Sequence, residues 1–342
     1  MFKSKKSHFS ILLAACLSLT PINGFATDFY SGKTLRLVVA TSAGTGYDVY
    51  ARVIARHLGK FLPGLPNITV ENMPGGGGLR VANYIYFQSP KDGTVIGAVH
   101  SAVGTANLLN PEGVKLSAEK FNWIGSANKE SHIAIIWHTS AIQTLQDVKE
   151  KFATVGATTL GTSTVDFPLI VNKILGYKFN IINGYEGTTS VSLAMERGEV
   201  EGLVGTTWTS LQADKPSWIL EKKVRVIAQF GLEKHPDLKD VPLIIDLAKS
   251  IDDIAALKLV LSRQEYGRPY ISPPETPLHQ VSLLREAFSK TMNNEEFLAE
   301  ASRMNIEINP VNGHVLQEII TEIAKTPAPI VDRVRKIFSQ QK

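Results

Sequence analysis

Cysteine is nearly absent from this sequence: Cys16 is the one cysteine among 342 residues. A single cysteine excludes an internal disulfide and a metal site built on several thiolates, since both need at least two. Long apolar runs are also scarce. The run at residues 11–19 is too short to cross a bilayer, and no later run is long and apolar enough to do so. The sequence therefore predicts no membrane-spanning helix.

A marked excess of one charge is also missing. The chain has 36 basic and 32 acidic side chains, and three of the lysines, Lys3, Lys5 and Lys6, precede the first apolar run. Without those three, 33 basic groups face 32 acidic ones. This balance gives no reason to expect a nucleic-acid partner. The length is sufficient for two domains of ordinary size.

The first 26 residues have the pattern of an export signal. Lysines come first, the apolar run 11–19 follows, and Gly24, Phe25 and Ala26 end the segment with small residues near a cleavage point. We predict cleavage after Ala26 and a periplasmic protein. An alternative is lipoprotein processing at Cys16 after Leu13-Ala14-Ala15, although the apolar run continues past that cysteine.

Strand-like and helix-like segments alternate from residue 34 onward. The predicted strands are 35–39, 68–71, 95–99, 133–137, 154–157, 224–228 and 257–262, and helices are predicted to start near residues 48, 79, 145, 167, 188 and 278. This alternation predicts an α/β fold with mainly parallel sheets flanked by helices. Two segments, 121–137 and 259–277, are predicted to cross between lobes. The predicted division is 27–125 plus 264–342 for lobe 1 and 126–263 for lobe 2.

Two predicted strands each run into a glycine loop and then into a helix. After strand 35–39 comes TSAGTGYDVYAR (41–52), where Gly44 and Gly46 allow a sharp turn and Asp48 is placed to cap the helix. After strand 68–71 come four glycines, 75–78, before the next helix. Helix N-termini present free N–H groups that suit an anion. Two such loops on one sheet are expected to converge on one crevice.

These loops resemble those of a known family. The segments TSAGTGYDVYAR (41–52), VENMPGGGG (70–78) and SPKDGTVIG (89–97) are similar to those of the Bug-type (TctC-like) extracytoplasmic solute receptors of tripartite tricarboxylate transporters. Shorter matches, among them RGEVE (197–201) and SPPETP (272–277), extend the resemblance over nearly the whole chain after the leader.

The resemblance implies a two-lobed periplasmic-binding-protein-like fold with two crossover segments. It implies a small organic acid, a carboxylate, bound in the interlobe cleft. The implied partners are the membrane subunits of a tripartite tricarboxylate transporter, and the protein is expected to be a monomer. The sequence departs from the family at Ala40 and Ser42, which replace prolines, and at Tyr47, which replaces a small residue.

The candidate ligand-binding residues fall in both predicted lobes. For each, a structural role such as a turn, a helix cap, a solvated Glu186 or a core Trp208 remains the alternative. They are Gly44, Thr45, Gly46, Tyr47, Asp48, Gly75, Gly76, Gly77, Gly78, Ser101, Thr162, Ser163, Thr164, Tyr185, Glu186, Thr206, Thr207 and Trp208.

Enzyme motifs do not fit the glycine loops. The first lacks the third glycine of a dinucleotide fingerprint, because Val49 stands there, and the second is not followed by Gly-Lys-Ser/Thr. The histidines show no metal-ligand spacing. We therefore predict a binding protein with no catalytic residue, cofactor or metal. An exported enzyme acting on a carboxylate or sugar acid, or a sensory ligand-binding partner, remains an alternative, and the sequence does not distinguish an aromatic from an aliphatic ligand.

Overall fold

A computed structural model describes residues 29–339 of the chain. The predicted export signal at 1–26, with Cys16, lies outside these residues. The strands are β1 (Thr34–Val39), β2 (Asn67–Asn72), β3 (Val95–Ala98), β4 (Asn122–Ser126), β5 (His132–Trp137), β6 (Ala153–Gly156), β7 (Phe179–Ile182), β8 (Gly202–Thr207), β9 (Val224–Phe230), β10 (Pro269–Ser272) and β11 (Val311–Asn312).

The helices lie between these strands and after them. They are α1 (Gly46–Leu58), α2 (Leu79–Phe87), α3 (Ala106–Leu109), α4 (Asp147–Glu150), α5 (Ser163–Leu175), α6 (Thr188–Glu196), α7 (Trp208–Asp214), α8 (Pro216–Leu220), α9 (Ile251–Leu261), α10 (Leu278–Met292), α11 (Glu295–Arg303), α12 (Gly313–Ala324) and α13 (Ala328–Ser339). Between residues 29 and 339 no helix is both long and apolar enough to cross a membrane.

The strands form two sheets. One has the order β11-β4-β10-β3-β1-β2 and the other the order β7-β6-β8-β5-β9. Strand β1 is parallel to β2 and β3, and β6 is parallel to β7 and β8. Apolar side chains pack on both faces of both sheets, beneath the helices. The predicted α/β fold class with two helix-flanked sheets is confirmed.

The sheets are mixed, however, where mainly parallel ones were expected. Strand β10 is antiparallel to β3 and β4, and β5 is antiparallel to β8 and β9. The connections between the sheets explain this. Strand β4 leads the chain out of the first sheet and β10 leads it back in, so these neighbours run in opposite directions. Strands β5 and β9 have the same relation in the second sheet.

One predicted strand is wrong. Residues 257–262 fall almost entirely within α9, whose N-terminus is capped by the Ser250 side chain accepting the Asp253 N–H at 3.0 Å. Most of the last turns of α9 are buried, so the apolar run shows no alternation that would reveal its period. A short, fully buried apolar run fits a helix as well as a strand.

Two short segments connect the sheets and pair with each other. We call residues 127–130 and 264–268 the crossing ribbon. The N–H of Ala127 donates to the Arg268 carbonyl (3.0 Å), and the N–H of Gly267 donates to the Asn128 carbonyl (2.9 Å). The division into lobes at 126 and 264 stays a prediction. Helix α13, which that division assigns to lobe 1, packs against α5 and α9 of the second part.

Candidate functional site

The first glycine loop follows β1 and turns at Gly44, whose φ of +81° is one that glycine adopts readily. The helix that follows begins at Gly46, and Gly46 itself has no left-handed φ. The turn therefore needs Gly44 but not Gly46. Asp48 was expected to cap the helix from its start; it lies instead in the first helical turn, and its carboxylate accepts the Gly44 N–H at 2.8 Å.

Asp48 also joins the first loop to the end of β2. Its carboxylate accepts from Arg52 Nε (2.9 Å) and from Asn72 Nδ2 (2.8 Å), and the same Asn72 amide donates to the Thr41 carbonyl (2.9 Å). Burial alone would raise the pKa of Asp48, but the hydrogen bonds from Arg52, Asn72 and Gly44 outweigh it and lower that pKa. Asp48 is thus a buried carboxylate that holds two loops together.

The start of α1 keeps N–H groups for another acceptor. The Thr45 hydroxyl is already used, because it donates to Thr41 Oγ1 (2.6 Å) and lies 2.9 Å from the Ser42 carbonyl. The N–H groups of Gly46 and Tyr47 have no acceptor within the part of the chain that the structure describes. Such unpaired N–H groups at a helix N-terminus attract an anion.

The second glycine loop follows β2 and is left-handed throughout. Residues 75–78 have φ values of +133°, +58°, +59° and +91°, which few residues other than glycine adopt. Gly75 and Gly76 are exposed and Gly78 is buried. A Cβ on Gly78 would lie 3.2 Å from the ring of His100, so the loop packs directly on that imidazole.

His100 connects the second loop to the first. Its ring stacks on Tyr47 with centroids 4.7 Å apart and planes at 3°. Burial, and to a smaller extent the positive charge of Arg268, lower the pKa of His100 to about 4. The imidazole is therefore neutral at pH 7. Burial likewise raises the pKa of the Tyr47 phenol, whose hydroxyl donates to the Gly267 carbonyl at 2.9 Å.

Arg268, from the crossing ribbon, also packs on Tyr47. Its guanidinium carbon is 4.3 Å from the centroid of the Tyr47 ring and 5.1 Å from that of Tyr50. Arg268 Nη2 lies 2.6 Å from Glu130 Oε1, and both side chains are buried. Burial alone would lower the pKa of Arg268, but Glu130 raises it, so the guanidinium stays charged.

A cavity of about 480 Å³ opens beside the second loop. Gly76 and Gly77 line it together with Gly161, Asp166 and Arg263. Arg263 Nη1 pairs with Asp166 Oδ2 (2.6 Å), and Arg263 Nε donates to Thr105 Oγ1 (3.1 Å). Of the eighteen predicted site residues, Gly76 and Gly77 line this cavity. The volume suits a small metabolite.

The predicted residues at the start of α5 form hydrogen bonds with nearby backbone groups through their hydroxyls. Thr162 donates to the Thr159 carbonyl (2.6 Å), Ser163 donates to the Gly205 carbonyl (2.7 Å), and Thr164 Oγ1 accepts the Thr158 N–H (3.0 Å). A ligand role for Thr162, Ser163 and Thr164 stays a prediction. The N–H groups of Ser163 and Thr164, at the start of α5, have no acceptor among residues 29–339.

The remaining predicted residues have mainly structural surroundings. Trp208 is packed in the core of the second sheet, and its indole N–H donates to Asp237 Oδ2 at 3.2 Å. Thr207 caps α7 by accepting the Ser210 N–H (3.1 Å). The final predicted positions are Thr206, buried in β8; Tyr185, partly buried against Gly156; Glu186, exposed to solvent; and Ser101, which starts the short helical turn after His100.

A larger cleft of about 680 Å³ lies between α7 and α11. It contains none of the predicted site residues, and two carboxylates, Asp237 and Glu307, line it together with His235. Asp237 also raises the pKa of Glu307, although burial is the larger cause. No lysine or arginine of residues 29–339 lines this cleft, whereas Arg263, Arg335 and Lys336 line the smaller cavity beside the second loop together with Glu112 and Asp166. The smaller cavity is therefore the stronger candidate for an anion.

Four residues of the site escaped the sequence analysis: His100, Glu130, Arg263 and Arg268. Arg263 and Arg268 lie within 259–277, which the sequence analysis treats as a crossing segment alone. The structure buries both arginines, and an arginine is seldom buried without a partner. The signal in the sequence was the presence of two arginines in a predicted crossing segment. His100 directly precedes the predicted Ser101 and gives no sequence signal of its own.

With this geometry in place, comparison with known proteins shows what the chain resembles. No family model matches the sequence. A UPF0065 protein of Cupriavidus necator is 24% identical over 319 residues, which cover 90% of this chain and 89% of the relative. A TctC solute-binding protein from Polaromonas has a TM-score of 0.66 and 18% identity, over 90% of this chain and 98% of the other.

Two structures from Rhodopseudomonas palustris contain acids. MatC with bound malate has a TM-score of 0.63 and 17% identity, over 89% of this chain and 98% of its own. Another protein, with adipate, has a TM-score of 0.65 and 15% identity, over 90% and 97%. The fold is thus that of a two-lobed periplasmic binding protein. More narrowly, it is that of the TctC and Bug solute-binding proteins, and the resemblance indicated by the sequence motifs is confirmed.

Proposed function

We propose that this protein is a periplasmic receptor that binds a small carboxylate between its two lobes and does not transform it. The observation that carries this proposal is the pair of glycine loops at the ends of the neighbouring parallel strands β1 and β2. Asp48 and Asn72 connect them through hydrogen bonds, and His100 packs on both. Unpaired N–H groups in such a place bind an anion without a cofactor.

The cavity beside the second loop would hold the body of the ligand. It is lined by Gly76 and Gly77 on one side and by Gly161 on the other, so closure of the lobes would enclose the acid. The malate and adipate found in proteins of the same fold support an aliphatic carboxylate. We further propose that the loaded form docks on the membrane subunits of a tripartite tricarboxylate transporter, as the family resemblance implies.

The direct test is a thermal-shift screen of the purified protein, followed by calorimetric titration. The acids are malate, adipate, citrate and benzoate, and the uncharged diamides of malate and adipate are the controls. A ligand that binds only the folded protein raises the melting temperature by mass action. We expect at least one acid to bind saturably and its diamide not to bind. Binding of none of the acids, or steady conversion of one to product detected by NMR, would contradict the proposal.

A loop variant tests where the acid binds. Gly46→Val adds a side chain at the start of α1, where no left-handed φ opposes it and the nearest atom is 3.4 Å away. We expect normal folding and at least about tenfold weaker binding, because the side chain blocks approach to the free N–H groups. Gly187→Val is the matched control, because Gly187 directly precedes α6 and a Cβ there would meet no atom within 4 Å. Equal affinity in the two variants would exclude the first loop as the anion site.

A further inference from the structure

We propose that Arg268 is the residue that recognises the ligand's carboxylate, and that Glu130 occupies the carboxylate's place when no ligand is bound. This inference rests on the proposed function and assigns it a specificity-determining residue. Glycine loops alone offer only partial charges. A guanidinium beside them would distinguish a carboxylate from its neutral amide or ester.

The first observation is that the hydrogen-bonding capacity of Arg268 is not filled. Its side chain is 8% exposed, and that of Glu130 is 3% exposed. Although Nη2 and Oε1 are 2.6 Å apart, Oε1 accepts no well-aligned hydrogen bond, and Arg268 Nε has no partner in residues 29–339. Buried donors are normally paired, so the unpaired N–H of this guanidinium indicates an acceptor that a ligand supplies.

The second observation is the position of this guanidinium. Arg268 Nη2 lies 3.4 Å from the point where a Cβ on Gly46 would stand, which places it against the first residue of α1. The N–H groups of Gly46 and Tyr47 at that helix start have no acceptor among the described residues. A cation beside the positive end of a helix is unfavourable unless an anion offsets both.

One carboxylate meets both requirements. The planar fork of a guanidinium matches the two oxygens of a carboxylate, and helix N–H groups can donate to the same oxygens. Glu130, from the crossing ribbon, provides such a group to Arg268 from within the chain. Exchange of Glu130 for a ligand carboxylate keeps one ion pair at Arg268 and supplies an acceptor for the loop N–H groups. The displaced Glu130 takes up a proton, because burial raises its pKa once Arg268 no longer pairs with it.

The test compares the two partners of the buried pair, because the two hypotheses predict different signs. If the pair only braces the ribbon, Arg268→Gln and Glu130→Gln both break it and both weaken binding. If Arg268 recognises the ligand, Arg268→Gln weakens binding about 10- to 100-fold, the range expected for a lost charge-assisted hydrogen bond. Glu130→Gln then removes a competitor and strengthens binding about threefold or more.

The probes are malate and adipate, each beside its diamide, in calorimetric and thermal titrations of the full protein. Glu130→Gln should melt lower than the unchanged protein without ligand and show a larger rise in melting temperature with acid, because the acid replaces the missing carboxylate. Glu265→Gln is the matched control, since it breaks the exposed pair with Lys129 in the same ribbon. It should leave affinity unchanged.

Arg268→Lys keeps the charge but loses the fork, and it serves if Arg268→Gln does not fold. An affinity between those of the unchanged protein and a tenfold loss is expected. Weaker binding in Glu130→Gln, or unchanged affinity in Arg268→Gln, would overturn the inference while leaving the proposed function intact. Failure of the unchanged protein to bind any acid would instead contradict the proposed function itself.

Discussion

The network around Asp48 makes a quantitative prediction for Asp48→Asn. The change keeps the shape of the side chain but turns one of its two oxygens into an amide donor. The carboxylate accepts from Gly44 N and Arg52 Nε on one oxygen and from Asn72 Nδ2 on the other. Whichever way the new amide points, it places its NH₂ against at least one existing donor.

The magnitude follows from the burial of the group. A hydrogen bond to a charged group contributes about 1.5–3 kcal/mol, and a buried donor left without a partner costs about 1–3 kcal/mol. The Arg52 side chain is 43% exposed, so its share is screened and small. We therefore expect Asp48→Asn to lower the free energy of unfolding by about 3 kcal/mol, mainly through Gly44 and Asn72.

The pH dependence of this loss has a definite sign. The pKa of Asp48 is lowered below its ordinary value of 3.8 in the folded protein. A carboxylate of this kind stabilises the fold fully above its unfolded pKa, and the stabilisation disappears as the pH falls through the folded pKa. The difference between the unchanged protein and Asp48→Asn should thus be largest near neutral pH and should shrink in acid.

The assay is urea unfolding followed by circular dichroism at pH 7, with the unfolding free energy extrapolated to water. Asp147→Asn is the matched control, because that exposed carboxylate also accepts two backbone N–H groups, from Gln143 and Thr144. It should show a clearly smaller loss. A loss of less than about 0.5 kcal/mol in Asp48→Asn, or one equal to the control, would refute the argument that Asp48 holds the two loops together.

Three further predictions concern residues near the loops. Gly78→Ala should destabilise the fold by roughly 1–3 kcal/mol, because Gly78 has φ +91° and faces His100, and urea unfolding that shows no loss would contradict this. The pKa of His100 is lowered from 6.5 to about 4, so the folded form binds this proton less readily than the unfolded form. The melting temperature should therefore be highest above pH 6.5 and fall towards pH 4. An equally large fall with pH in His100→Gln would refute the assignment. Trp208→Phe should lower the free energy of unfolding by about 1 kcal/mol, because the indole hydrogen bond to Asp237 is lost, and should leave the affinity for acids unchanged. Weaker binding in a titration would show that Trp208 contributes to the ligand site.

The parts of the site that the sequence predicts are those that depend on local geometry. Gly44 and residues 75–78 lie where a strand turns into a helix, and the chain's own pattern of apolar residues and glycines reveals this. The role of Arg268 is different, because its partner Glu130 is far away in sequence and meets it only through pairing of the crossing ribbon. Long-range pairing of this kind has no periodicity and leaves no local pattern.

The two missed strand directions have the same origin. Whether β10 lies parallel or antiparallel to β3 depends on how the chain returns from the second sheet, and the residues of β10 favour neither direction. Trp208 packs in the core of the second sheet, as the structural alternative expects, and its ligand role stays a prediction. Local chemistry therefore identified the loops, whereas the topology decided which charges reach them.

In both halves of the molecule an aspartate near the start of a helix accepts a glycine N–H from the preceding loop and pairs with an arginine. The two halves differ in where that arginine comes from. In the first loop, Asp48 accepts the Gly44 N–H and pairs with Arg52 of its own helix. Before α5, Asp166 accepts the Gly161 N–H at 3.0 Å but pairs with Arg263, which comes from the chain segment leading into the crossing ribbon.

The carboxylate of the first loop is therefore paired within its own helix, whereas Asp166 is paired with a residue from a distant part of the chain. Arg263 also donates to Thr105, which follows β3 of the first sheet, so a single buried guanidinium connects the second-lobe loop to the opposite lobe. Any rotation of the lobes that separates Thr105 from Asp166 must break one of these hydrogen bonds. It would leave a buried donor or carboxylate without its partner, which costs free energy. We therefore expect the loop at the start of α5 to change its geometry when the lobes open or close, whereas the Asp48–Arg52 pair, which lies within one helix, should stay intact.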